Sequence, residues 1–361
     1  MSIVKLTHKH YSLIDKALSR RSFLAGAGGV AAAAALAGCA NDGTTTMVPP
    51  GTPTNPSTFT DADVLNLALN LEYLEAQFYV YAATGKGLAT TDTAAPSGYT
   101  GKYTAGTLTT NATVGQVGTI AGGTTITTAQ QNIVNEIAFE EQNHVRFLRS
   151  ALGAAAVPMP SIDLTFFATL ASLLSPSVSG FTPFANFNTF LLGAFIFEDV
   201  GVTAYAGAAP LISAAGVTSG YLNAAAGILA VEAYHAAYIR TALTAQASAP
   251  GGVATYLNIA NSIEALRASL TVGNAGAPTI TGNTGNNGQA GSSASVEVPL
   301  TAPSGLTSVS SIVPADSANA LGFARTVNQV HHIVYGSPTL GASKGGFFPN
   351  GTNSVFSTTT A

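Results

Sequence analysis

Two stretches of this chain that read as helices carry the motif Glu-x-x-His, at Glu141–His144 and Glu232–His235. Each is preceded along the chain by an apolar helical stretch with an embedded glutamate, Glu72 and Glu198. On a helix, positions i and i+3 lie on one face, so each Glu/His pair can bind one metal ion or bridge two. Glu72 and Glu198 are each followed seven residues later by a tyrosine, Tyr79 and Tyr205. The chain therefore repeats a two-helix unit, which predicts two hairpins related by approximate two-fold symmetry. A carboxylate inside an apolar helix costs several kcal/mol unless it is paired. Two divalent cations would offset four converging carboxylates, and neutral imidazoles would complete the coordination. One Glu-x-x-His alone usually marks a solvated face. The order Glu, Glu-x-x-His, Glu, Glu-x-x-His is far more specific, and of six histidines only His144 and His235 fall in these helices.

The ligand set expected is Glu72, Glu141, His144, Glu198, Glu232 and His235. Glu141 and Glu232 would bridge or chelate, Glu72 and Glu198 would be terminal, and each histidine would end one metal position. Carboxylate with imidazole suits iron or manganese better than zinc. Glu75 shares a face with Glu72 and could replace it, but only Glu72 has the tyrosine spacing that Glu198 repeats. Glu136 and Glu140 read as a solvated face or as supports for the ligands. Asp199 reads as a surface residue or as a partner for a ligating histidine's free N–H. Tyr79 and Tyr205 read first as core packing.

Bulk composition excludes some functions. The chain has 13 basic and 17 acidic residues, a formal net charge of -4, so there is no basic excess to neutralise phosphates and no nucleic-acid partner is expected. Cys39 is the sole cysteine, which rules out an intrachain disulfide. Residues 1–38 read as a targeting segment. Ser19-Arg20-Arg21-Ser22-Phe23-Leu24 resembles a twin-arginine export signal, and the apolar run Ala25–Ala37 behind it is shorter than the ~20 residues a spanning helix needs. Leu36-Ala37-Gly38-Cys39 resembles a lipoprotein signal, which would make Cys39 a lipid anchor to a membrane. The expected location is the periplasm or cell envelope.

Residues 39–59 are rich in Thr, Pro and Gly and read as a flexible tether. An all-α four-helix bundle is expected over 60–246. Its first helix starts at a Thr60/Asp63 cap and runs to about Ala83. An insertion of about 84–126, with short strands, precedes a second helix capped by Thr128 and Gln131. A short apolar helix is expected from Asp163 to Leu174, and long ones over Asn188–Ala208 and Thr218–Ala245. Residues 247–361 would form a C-terminal extension of helix and loop, with helices near Tyr256–Leu270 and Ala315–Tyr335.

On these residues the chain resembles the ferritin-like superfamily of ferritins, bacterioferritins, rubrerythrins and manganese catalases. Asn70-Leu71-Glu72 with Tyr79 is similar to the first ligand helix of ferritins. Within that superfamily, Leu67-Ala68-Leu69-Asn70-Leu71-Glu72-Tyr73-Leu74-Glu75-Ala76 looks like the first helix of proteins related to plant desiccation-related proteins. The run from Arg325-Thr326 through Ile333-Val334-Tyr335-Gly336 to Gly345-Gly346-Phe347-Phe348-Pro349 looks like their C-terminal segment. The resemblance implies a ferritin-like four-helix bundle and a di-iron or di-manganese oxidoreductase acting on O2 or peroxide. It is equally compatible with a non-catalytic stress-protection protein. A homo-oligomer fits the sequence, but the insertion, extension and lipid anchor do not suit a ferritin cage.

Overall fold

A computed structural model describes residues 59–111, 115–119, 123–248, 254–271, 297–300, 312–315 and 321–359. The signal, Cys39 and almost all of the tether lie outside the described residues. Helix α1 (Asp61–Thr84) opens on a reciprocal cap: Thr60 N donates to Asp63 Oδ2 at 2.8 Å, and Asp63 N donates to Thr60 Oγ1 at 3.3 Å. It ends at Gly85, whose φ of 72° is the left-handed conformation that glycine adopts freely. Helix α2 (Thr128–Leu152) is capped one residue earlier than the sequence suggests, by Thr127 with Gln130. Gln131 instead donates its side-chain amide to Asn135 at 2.7 Å.

The insertion contributes one two-residue strand, β1 (Leu108–Thr109), paired in parallel with β2 (Ile162–Asp163). Asp163 therefore belongs to a strand rather than to the following helix. Its carboxylate accepts from Thr165 N at 2.8 Å, and helix α3 runs only from Phe166 to Leu173. Helix α4 (Phe187–Ala208) is capped by Asn186 and buried nearly all round. A 3-10 turn (Ala209–Leu211), a five-residue helical segment (Ala214–Thr218) and a turn at Gly220 separate it from α5 (Tyr221–Ser248), and α6 (Ala254–Thr271) follows.

The last helix, α7, spans only Val327–Val334, not the longer range from Ala315. The reason is local. Thr326 and Gln329 form a capping box, while the Arg325 N–H donates to the Thr203 carbonyl at 2.9 Å and pins the preceding segment to α4.

α1 packs along α2, α4 packs along α5, and α1 meets α4 across the bundle. The first hairpin is antiparallel. Asn66, early in α1, bonds to Ala155 and Val157 just past α2, whereas the Ala82 carbonyl, late in α1, accepts from Val117 ahead of α2. The C-terminal segment closes the α1/α4 side. Phe347 is buried against Phe166, Phe167 and Phe197 at centroid distances of 4.9–5.1 Å. Asn353 and Asn70 exchange two hydrogen bonds, 2.8 and 3.0 Å, tying the tail to α1.

His331, on α7, is fully buried and stacks on Tyr335 at 5.1 Å, with no hydrogen-bond partner on either ring nitrogen among the described residues. Burial, with a smaller contribution from His332, lowers its pKa from 6.5 to about 3. Between those values the unfolded chain takes a proton that the folded chain refuses, so stability falls as pH drops through that window. The slope from this group should reach about 1.4 kcal/mol per pH unit. Urea unfolding of His331→Phe at pH 4 and pH 7 should show a pH dependence smaller by that amount. A wild-type slope in the variant would assign the proton uptake elsewhere.

Candidate metal centre

The four bundle helices bring the six residues of the sequence motif together. Glu72 comes from α1, Glu141 and His144 from α2, Glu198 from α4, and Glu232 and His235 from α5. All four carboxylates have no exposed surface, and the two histidines are 8% and 5% exposed. The atoms form two overlapping groups able to hold a cation. One joins Glu72, Glu141, His144 and Glu232; the other joins Glu141, Glu198, Glu232 and His235. Within each group the candidate donor atoms all lie within 4.8 Å of one another. Glu141 and Glu232 belong to both. His144 Nδ1 lies 3.2 Å from Glu72, 3.6 Å from Glu141 and 3.4 Å from Glu232. His235 Nδ1 lies 3.2 Å from Glu141 and 3.5 Å from Glu198.

The tyrosines do more than pack. Tyr79 of α1 donates its hydroxyl to Glu198 of α4, and Tyr205 of α4 donates to Glu72 of α1. The bonds cross the bundle in the reciprocal way an approximate two-fold requires. Each tyrosine occupies one carboxylate oxygen and leaves the other facing the centre. His235 Nε2 lies 2.7 Å from Glu140, so the half-buried Glu140 is a support for that imidazole and not simply a solvated group.

Asp199 is placed differently from the sequence reading. It is buried, 4% exposed, and its partners are arginines rather than a histidine: Arg240 at 2.7 Å and Arg267 at 3.1 Å. Those arginines also reach Glu264 and Glu297, and Arg325 joins through Glu297. Asp199, Glu264 and Glu297 also lie close enough together to form a cation group, but three guanidiniums already balance them. This network escaped sequence reasoning. Its one signal was an arginine, Arg240, on the apolar helix that carries Glu232 and His235.

Glu75 is buried beside the centre and is not in either cation group. The two-fold counterpart of Glu75 is Gly201, three residues past Glu198. A β-carbon there would lie 2.7 Å from Glu232 Oε2 and 3.2 Å from Glu75 Oε1. The glycine makes room for a fifth carboxyl on the α1/α4 side.

Electrostatics show how poorly these groups suit one another as a metal-free core. Burial, then the charge of neighbouring carboxylates, holds Glu75 and Glu232 well above the usual carboxylate range. Burial also raises Glu72 and Glu198. Glu141 moves the other way: burial would raise it, but the two imidazoles beside it, His144 at 3.6 Å and His235 at 3.2 Å, outweigh that and lower it to about 2. For His235 burial is outweighed by Glu198 and Glu141, which push it up to about 12, and His144 is raised too. Among the described residues, eight donor atoms of the two groups remain buried without a hydrogen-bond partner: Glu72 Oε2, both oxygens of Glu232, both of Glu141, Glu198 Oε2 and Nδ1 of each histidine. Native proteins satisfy nearly all such atoms. Converging carboxylate oxygens and imidazole nitrogens fit divalent iron or manganese.

The ferritin-like domain family matches residues 60–245, more than half of the chain, and the chain belongs to that family. The all-α, ferritin-like bundle expected from the sequence is therefore the fold found. Desiccation-related protein PCC13-62 of Craterostigma plantagineum is 30% identical over 218 residues, covering 58% of this chain and 62% of that protein. Ferritin-like catalase Nec2 of Nesocodon mauritianus is 28% identical over 152 residues, covering 42% of this chain and 44% of the relative. The chain thus spans less than two thirds of either relative. No solved structure matches it.

Proposed function

We propose that this protein is an exported, membrane-anchored ferritin-like oxidoreductase that holds two iron or manganese ions and reacts with peroxide or O2. The observation that carries this reading is the eight unpartnered donor atoms gathered in two groups that share Glu141 and Glu232. The name of the Nesocodon relative, a ferritin-like catalase, supports peroxide as a substrate. Glu72, Glu141, His144, Glu198, Glu232 and His235 would hold the ions, and the bound ions would supply the redox electrons and the Lewis acidity. The chain's own groups prepare the site. With metal bound, Glu140 would hold a proton on His235 Nε2, which would leave Nδ1 deprotonated and free to face the ions. Tyr79 and Tyr205 fix the orientation of Glu198 and Glu72. Phe190, Phe195 and Leu191 are among the buried apolar residues of α4 that keep bulk water away.

Export by the twin-arginine route would carry the protein out already folded, and Cys39 would anchor it. Replacing Cys39 with Ser should move the protein to the soluble fraction. A second reading is favoured by the longer match, to a desiccation-related protein: non-catalytic protection, with the metals stabilising the bundle. Metal analysis of the purified protein, followed by peroxide and O2 consumption assays, separates the two. The oxidoreductase reading expects about two ions per chain, following such carboxylate bundles, and turnover that a chelator abolishes. Two bound ions with no turnover would support the protective reading.

A further inference from the structure

A cleft of about 330 Å³ opens between α2 and α5. Two carboxylates and one imidazole line it in order of increasing burial, beside the tyrosines Tyr234 and Tyr238. Glu136 is exposed, the Glu140 side chain is 35% exposed, and the His235 side chain is 6% exposed. Glu136 and Glu140 are four residues apart on one face of α2, about 6 Å along its axis. Glu140 bonds to His235 Nε2 at 2.7 Å, while His235 Nδ1 has no hydrogen-bond partner and lies 3.2 Å from Glu141. One imidazole thus separates the cleft from the carboxylate cluster, with a ring nitrogen on each side.

The approximate two-fold breaks at this point. The residue before Glu141 is Glu140, whereas the residue before Glu232 is Val231. Only the His235 half of the centre has a carboxylate in front of it. The opposite side, between α1 and α4, is sealed by α7 and Phe347, and the cavity there is lined by apolar side chains apart from Glu75. A hydrated divalent cation cannot shed its water against an apolar wall without a prohibitive loss of solvation. Oxygen ligands that replace water one at a time remove that barrier.

The geometry points to the α2/α5 cleft as the loading route for divalent cations, with Glu136 as the capture carboxylate, Glu140 as the relay and His235 as the gate. This rests on the two-metal reading above. It follows that the His235 position fills first and the His144 position second.

Stopped-flow uptake of Co²⁺ by the metal-free full-length protein tests this, read by cobalt absorption and by final metal content. Wild type should load in two phases. Glu136→Gln, which touches no candidate ligand, should slow the first phase roughly three- to tenfold and weaken its salt dependence, with the final content unchanged. Ile133→Trp, which narrows the cleft, should slow it as well. Glu72→Gln should spare the first phase and weaken the second. Wild-type rates in both Glu136→Gln and Ile133→Trp would overturn the route while leaving the two-metal reading intact. Loss of the first phase in Glu72→Gln would overturn the order of filling. No cobalt uptake by wild type would overturn both the route and the metal reading.

Discussion

Replacing Glu232 with Gln is expected to remove metal from both positions and leave the metal-free fold almost as stable as wild type. Glu141→Gln is expected to remove the same metal at a real cost to that fold. Both side chains belong to both candidate groups. Loss of an outer support for a ligand typically costs 10–100-fold in metal affinity, so loss of a shared ligand should cost at least about 100-fold at each position. Their metal-free states differ because their charges differ. Burial and neighbouring carboxylates hold Glu232 well above the usual range, which favours its protonated form, and glutamine mimics that form. Glu141 is lowered to about 2 by two imidazoles, so its folded pKa lies below its unfolded value. That contribution is complete above the unfolded pKa and is lost as pH falls toward 2. From about 4.5 down to 2 it amounts to at most roughly 3 kcal/mol. For a chain of this class that corresponds to roughly 6–12 °C in Tm. Thermal unfolding of chelator-treated proteins at pH 7 checks it, and equal losses in the two variants would overturn this division of charge.

The parts of the molecule that could be read from sequence are those whose signals are local or repeated. The helix start at Thr60 follows from a side chain that satisfies a backbone N–H three residues on. The convergence of Glu72, Glu141, Glu198 and Glu232 follows from a pattern stated twice, because a carboxylate in an apolar helix needs a partner and its counterparts are the nearest candidates. What failed was long-range. Asp199 finds its partners 41 and 68 residues away, and nothing near Asp199 announces them. The sequence reading places a helix from about Ala315, yet α7 starts only at Val327, after Arg325 has bonded to α4. The tyrosine spacing favoured Glu72 over Glu75, and it is Glu72 that lies in a candidate cation group, but the spacing could not show that each tyrosine bonds to the glutamate of the other hairpin. The departure from two-fold symmetry at Gly201 and Glu75 was visible as residues, but its meaning needed the distance between them.

The largest stability effect is expected away from the metal centre, at Asp199. Its carboxylate accepts from Arg240 at 2.7 Å and from Arg267 at 3.1 Å, and both arginines are essentially buried. Asp199→Ala would leave two guanidiniums short of a counter-charge in a place water cannot reach. Breaking a buried pair in this way costs about 3–5 kcal/mol, because the remaining charge is uncompensated. Tm should therefore fall by roughly 6–20 °C. The network also holds the C-terminal extension, since Arg267 and Arg325 both bind Glu297, and Arg325 bonds to Thr203 at 2.6 Å. Limited proteolysis should accordingly cut the variant ahead of α7 sooner than wild type. Glu264→Gln provides the contrast. Burial, opposed by Arg267 and Arg240, pushes Glu264 up to about 8, so it carries a proton at pH 7 and glutamine preserves its charge state. That substitution should cost less than about 1 kcal/mol, because the glutamine oxygen can still accept from Arg240. Both variants keep Glu198 and Gly201 in place, so metal content should stay at the wild-type level in each. If Asp199→Ala unfolds no earlier than Glu264→Gln, the three arginines are balanced without Asp199, and the extension is held by its apolar contacts alone.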